Sequence, residues 1–345
     1  MFFASDNGGP VHPKIMARLA ADNEGHAMPY GNDPGMDEVR ERVRDMFGTP
    51  DAAVYLVATG TAANALALTS YTQPFQTIYC TPMAHIACDE CGAPEFYSGG
   101  GKLTLVPGTD KMSAEALRAA IEGTAQGVVH GVQRGPVSIT QVTENGGVYD
   151  LSQIEALTAV AKSMDCPVHM DGARFANAVA ASNLTTAQMS VAADVDVLCF
   201  GGTKNGCLGV EAVIFFDPEK AWEFELRRKR GAHLFSKHRY LSAQMAAYLT
   251  DDLWLEMART ANSNAQHLAQ GLSDRGAQIQ GSVEANMIFA SLPRKTHQKL
   301  QATGARYYVM QGPLETGDPQ EHLLARFVCD WSLSAANIDQ FLALF

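Results

Sequence analysis

The sequence predicts an α/β protein with a mainly parallel central sheet and a smaller α+β domain at its C-terminal end, and three observations support this. Short β-branched runs alternate with helical stretches from about residue 35 to 215. That is how βαβ units read, because each parallel strand needs a crossover before the next. Several of those runs end directly in a polar residue, at the strand ends where open α/β sheets bind ligands. Finally, 46% of the 345 residues are hydrophobic and 18% charged, ample apolar material for a sizeable core.

Taken in order, strands are predicted at 54–58, 77–80, 103–106, 127–132, 138–142, 168–171, 195–200 and 212–216. Helices are predicted between them at 36–47, 62–71, 113–123 and 151–164, the last capped by Asp150. A long helical, charge-rich passage from 218 to about 275 follows. Beyond it, strands at 287–291, 306–310 and 325–329 mix with helices at 295–303 and 335–344. The change of pattern divides the chain into a large domain, 1–250, and a small α+β domain, 251–345, with the N-terminal segment contributing to the large domain's site.

Composition excludes some partners. The 26 Lys and Arg against 37 Asp and Glu leave a net charge of −11, unsuited to a nucleic-acid or anionic-membrane surface. No apolar run approaches the ~18 residues of a membrane span, and the start of the chain lacks the basic and apolar regions of a signal peptide. The expected location is the cytoplasm. The seven cysteines are scattered and mostly apolar in context, as buried reduced thiols are. Cys88-Asp89-Glu90-Cys91 stands alone as a C-x-x-C and reads as two thiols on one helical turn, so no metal is expected.

Three segments carry chemistry. In Val57-Ala58-Thr59-Gly60-Thr61 a strand stops at Gly60 and a helix begins at once, with Thr61 as its cap. Free N–H groups, a dipole end and a hydroxyl at such a start suit a phosphate. In Val168-His169-Met170-Asp171-Gly172-Ala173-Arg174 an apolar run ends in an Asp that can hold a cationic ring nitrogen, with an Arg three positions on. Read alone, Asp171 could equally cap the next helix and pair with Arg174. In Phe200-Gly201-Gly202-Thr203-Lys204 a lysine lies 33 residues after Asp171, the length of one βαβ return, so both reach the same sheet edge. A lysine beside a cation in a closed site loses its proton easily and can form a Schiff base; in the open it is only a surface lysine in a turn. Together the three describe a pyridoxal 5′-phosphate site, with His85, just after the 77–80 strand, placed to stack on the ring.

The chain at this point resembles the low-specificity L-threonine aldolases, of the β-eliminating-lyase group of fold-type-I pyridoxal-phosphate enzymes. The resemblance spans nearly the whole chain. It rests on Ala4-Ser5-Asp6-Asn7, Tyr30-Gly31-Asn32-Asp33, Gly60-Thr61-Ala62-Ala63-Asn64, Ala84-His85, His169-Met170-Asp171-Gly172-Ala173-Arg174, Gly202-Thr203-Lys204 and Ala325-Arg326-Phe327-Val328. It implies that Gly60 and Thr61 bind phosphate, His85 stacks on the pyridine, Asp171 pairs with the ring nitrogen and Lys204 holds the cofactor. It further implies that Ser5, Arg174 and Arg326 bind the substrate's α-carboxylate, that Arg174 also belongs to the cofactor's surroundings, that Tyr30 lines the site and that Gln141 contacts the ring oxygen. Arg239 would reach the phosphate of a neighbouring subunit in a homotetramer built from dimers with shared sites.

The sequence departs from that family at two places. The glycines that commonly precede the counterpart of Arg239 are missing. Where many members carry Glu-Asn-Thr-His-Asn, this chain has Thr140-Gln141-Val142-Thr143-Glu144-Asn145 without a histidine. The base that takes the substrate's β-hydroxyl proton is then His85, a water held by His85, or Glu144, the water-mediated route being favoured. The implied reaction is retro-aldol cleavage of a β-hydroxy-α-amino acid such as threonine, allo-threonine or phenylserine to glycine and an aldehyde. A β-lyase, racemase or aminotransferase would use the same Asp and Lys, and a non-catalytic regulator could retain the same fold.

Overall fold

A computed structural model describes residues 1–345. Seven strands form the central sheet: β1 Ala53–Val57, β2 Gln76–Cys80, β3 Lys102–Leu105, β4 Gln133–Thr140, β5 Val168–Gly172, β6 Val197–Gly201 and β7 Glu211–Phe215. Their spatial order is β1-β7-β6-β5-β4-β2-β3. β7 runs antiparallel to both of its neighbours, and the other six strands share one direction. Strands β5, β6 and β7 are buried at every position, which is why they read as unbroken apolar runs rather than alternating ones.

The antiparallel strand has a consequence for the site. β1, β2, β5 and β6 all deliver their C-terminal ends to one edge, and β7 begins where they finish, so its first residue, Glu211, stands opposite Gly201 and Val57. Two glycines let the turns at that edge close. A Cβ on Gly201 would lie 2.4 Å from the Ala173 carbonyl oxygen, and one on Gly172 would lie 2.6 Å from that of Cys199.

A second sheet, of order β10-β11-β9-β8, is wholly antiparallel: β8 Gln278–Ile279, β9 Met287–Pro293, β10 Tyr308–Val309 and β11 His322–Val328. It has its own apolar core, in which Phe3 packs 4.8 Å from Phe341, centroid to centroid, beside Leu268, Leu300 and Phe327. The N-terminus joins this sheet through backbone bonds from Phe3 N to Arg306 O (2.7 Å) and from Val328 N to Phe3 O (2.8 Å). The helical passage resolves into Ala221–Arg230, Arg239–Leu249 and Leu253–Ser273, the last two separated by a break at Asp251 and Asp252, both at positive φ.

Three expectations about elements need correction. Residues 127–132 form turns, not a strand: the Gln133 side chain accepts from Gly127 N and donates to the Val128 and Gly131 carbonyls, and Val129 stands 91% exposed. The strand expected at 138–142 instead spans Gln133–Thr140, because β4 absorbs Gly135 and Pro136 where its register against β2 slips between Thr77 and Tyr79. A proline has no N–H to give a ladder, and the slip spares it that bond. Finally, Cys88 closes the helix His85–Cys88 while Cys91, at φ 52°, lies outside it, so the two thiols do not share a helical turn.

Candidate active site

The edge described above surrounds a cleft of about 900 Å³, counting the open space at its mouth. Gly60, Thr61, His85, Asp171 and Lys204 line it, with Asn7, Thr59, Asn64, Thr203 and Glu211. Five residues separated along the chain by as many as 144 positions therefore meet at the ends of four strands.

The helix Gly60–Thr69 starts at the cleft wall. Its N-cap is Thr59, whose Oγ1 accepts from Ala62 N at 3.2 Å; Thr61, expected to be the cap, lies within the first turn. The N–H groups of Gly60 and Thr61 lie beyond the helix's own pairing. A Cβ built on Gly60 would meet nothing within 4 Å, so open space lies beside the start of the helix, where Gly60 and Thr61 line the cleft. This is a fit for a phosphate.

Asp171, at the end of β5, is 3% exposed. Its Oδ2 accepts from Asn64 Nδ2 (2.9 Å) and its Oδ1 from Ala173 N (3.1 Å). It does not pair with Arg174. That guanidinium donates from Nε and Nη2 to the two oxygens of Asp6, at 2.7 and 3.0 Å, in a bidentate and buried pair. Burial works against both charges; the Arg174 and Lys204 charges nevertheless hold the Asp6 carboxyl below its usual range, and Asp6 raises Arg174. A buried carboxylate and a lysine lining the same cleft as this helix start fit a protonated pyridine with a reactive aldehyde.

His85 begins its helix and donates or accepts through Nδ1 with Glu90 Oε1 at 2.9 Å. This bond raises the imidazole's pKa against the opposing effect of burial, and Asp171 adds to the rise. Glu211, at the cleft wall, is only 6% exposed. Burial pushes its carboxyl up to about 7, although Thr203 and the Gly202 N–H, 3.0 Å from Oε2, favour its charged form.

The remaining expected residues lie around the cleft rather than in its lining. Ser5 caps the short turn Asp6–Gly8, its Oγ accepting from Asn7 N at 3.1 Å. Arg326, on β11, reaches the Ala4 carbonyl from Nη2 at 3.4 Å and leaves its buried Nε without a partner. The segment Ala4–Asn7 thus touches Arg326, Arg174 and the cleft at once. Glu144 is half-buried, near enough for its charge to favour that of Arg174 and to raise the Cys88 thiol.

Two expectations do not match this arrangement, and a third concerns a neighbouring subunit. Gln141 does not line the cleft: its side-chain amide is taken up by the backbone of Tyr149, donating to O at 2.9 Å and accepting from N at 3.0 Å. Tyr30, at φ 61°, is 44% exposed beneath the Lys229 ammonium and lies outside the lining. Arg239 donates to the carbonyls of Asn23, Glu24 and Gly25 on the surface, so within one chain it does not reach the cleft.

Comparison with known proteins agrees with the fold. The model of the β-eliminating lyase family matches residues 3–294, and the chain belongs to that family. A low specificity L-threonine aldolase of Pseudomonas aeruginosa is 39% identical over 338 residues, covering 97% of this chain and 94% of that protein. One from a Pseudomonas sp. is 37% identical over 343 residues, covering 99% and 96%. The solved structure of threonine aldolase from Leishmania major superposes with a TM-score of 0.92 at 25% identity, covering 99% of this chain and 98% of that one. A Sphingomonas wittichii serine palmitoyltransferase shares the fold, with a TM-score of 0.71 at 16% identity, covering 100% and 86%.

Proposed function

We propose that the protein is a pyridoxal-phosphate-dependent aldolase that cleaves β-hydroxy-α-amino acids, L-threonine and L-allo-threonine foremost and phenylserine among them, to glycine and an aldehyde. The observation that carries this reading is the cleft itself, which a helix start, a buried Asp and a Lys line together. Likeness along almost the full length to enzymes named for threonine cleavage supports the substrate class.

When bound, the cofactor supplies an electron sink for the pair left on Cα as Cα–Cβ breaks. The protein's own groups do the rest. Gly60 and Thr61 hold the phosphate with backbone N–H groups and the helix dipole. Asp171, fixed by Asn64 and the Ala173 N–H, keeps a ring nitrogen protonated. Lys204 lies at the cleft wall, where it would hold the cofactor's aldehyde, and His85 would stack on the ring. Arg326 and Ser5 take the substrate's carboxylate at the Ala4–Asn7 segment, while Arg174 adds charge already shared with Asp6. His85, acting through a water, takes the β-hydroxyl proton; Glu144 is the competing base.

Assembly as a homotetramer with shared sites, in the cytoplasm, belongs to the same proposal. Surface positions for Arg239 and Tyr30 support it, as do the exposed Phe96, Trp222 and Leu226 beside the groove between helices Ala93–Ser98 and Ala221–Arg230. So does a division of labour in which residues 1–250 hold the cofactor and residues 251–345, with Arg326, close on the substrate. The test is product analysis after incubation with L-threonine. Equimolar glycine and acetaldehyde are expected; D-threonine, a keto acid with ammonia, or unchanged threonine would overturn the reading.

A further inference from the structure

The string Cys88-Asp89-Glu90-Cys91 offered two thiols to the sequence, yet the residue that matters in it is the acid. Glu90 has no exposed side-chain surface. Its Oε1 meets both His85 Nδ1 and Asn64 Nδ2, each at 2.9 Å. The same Asn64 nitrogen donates to Asp171 Oδ2, also at 2.9 Å. One amide therefore ties together two buried carboxylates, one behind the cleft's histidine and one at the position of a ring nitrogen. Glu90 Oε2 and Asn64 Oδ1 are buried without a partner. A buried oxygen without a protein partner costs stability, so packing alone does not favour this arrangement.

We propose that Glu90 is a positioning residue for His85: it binds Nδ1 and turns Nε2 to the cleft, and through Asn64 it shares its orientation with Asp171. An imidazole with Nδ1 fixed in this way keeps one ring angle and one tautomer, and Nε2 alone remains for a ligand or water. The charged groups facing His85 are Glu90 from its own segment, Asp171 from β5 and Lys204 from the turn after β6; the first two favour the imidazolium and the third opposes it. Burial raises the Glu90 carboxyl's own pKa, against the hydrogen bonds from His85 and Asn64.

The inference rests on the reading of His85 given above, but its first test needs no turnover. In the purified holoenzyme carrying ¹⁵N-labelled histidine, the His85 signal, assigned with His85→Asn, should show the Nδ1–H tautomer in its neutral form at high pH. In Glu90→Gln its titration midpoint should fall by about one pH unit or more, because a neutral amide replaces the facing charge. An Nε2–H tautomer in the wild type, or an unmoved midpoint in the variant, would overturn the proposal even if threonine cleavage is confirmed. The second test is kinetic. Glu90→Gln should lower kcat by on the order of 10² with a small change in KM, Glu90→Asp should recover part of the loss, and in the His85→Asn background the same change should cost nearly nothing. Additive losses in the double variant would mean that Glu90 acts otherwise. Should Glu90→Gln fail to fold, the wild-type tautomer still decides.

Discussion

At the scale of the residue, the cleft pairs groups that were legible in the sequence with groups that were not. Asp171, Lys204 and His85 each follow an apolar strand within a few positions, and strand ends in an open α/β sheet carry ligands, so local pattern suffices to find them. Glu211 was hidden because it begins a fully buried strand, where one acid in an apolar run looks like a boundary; only the reversed direction of β7 brings it to the edge. Asp6 and Arg174 lie 168 residues apart, and nothing local to either announces the pair. Glu211 makes a prediction with a definite sign. Its folded pKa, about 7, lies above the ordinary carboxyl value, so the folded chain holds the proton more tightly than the unfolded one. The associated stability is present at low pH and is lost as the pH rises to 7 and beyond, by on the order of 2–4 kcal/mol. Glu211→Gln, which retains an oxygen for the Gly202 N–H, should flatten the fall in Tm between pH 5 and 8. Thermal melts of both proteins at several pH values check this, and parallel curves would contradict it.

At the scale of the element, most boundaries followed from apolar period and capping chemistry, and the misses share a cause. The Val-rich 127–132 stretch failed as a strand because Gln133 supplies the hydrogen bonds that a neighbouring strand would have given. β4 ran longer than the pattern suggested because a register slip admits Pro136. In both cases a tertiary partner overruled a local rule. The helix Gly60–Thr69 shows the reverse, a local rule with tertiary use: Thr59 caps it and thereby presents the Gly60 and Thr61 N–H groups to the cleft. Thr59→Ala should cost about 1 kcal/mol of stability, the usual loss for a cap, and should also speed cofactor release. Denaturation and the rate of cofactor loss on dilution measure the two effects, and an unchanged release rate would separate the cap from the phosphate.

At the scale of the whole molecule, the N-terminal segment joins the parts. Phe3 belongs to the core of the small sheet, Asp6 grips Arg174 after β5, and Asn7 lines the cleft, so the two sheets meet the site through one stretch of chain. Arg326 lies on the small-sheet side of that junction and Arg239 on the outer surface, which sets up opposite phenotypes. Arg326→Ala should raise KM for the amino acid by about tenfold or more while leaving cofactor affinity alone, because removing a charged hydrogen bond costs about 1.5–3 kcal/mol. Arg239→Ala should loosen the cofactor and spare KM if it serves a neighbouring subunit. KM and cofactor release in both variants test this, and exchanged phenotypes would reverse the assignment. The account as a whole stands on Lys204. Borohydride reduction of the purified holoenzyme, followed by peptide mapping, should place the cofactor label on the peptide containing Lys204 and bleach the protein's yellow colour irreversibly. A label on any other lysine, or none in a protein that still cleaves threonine, would contradict it.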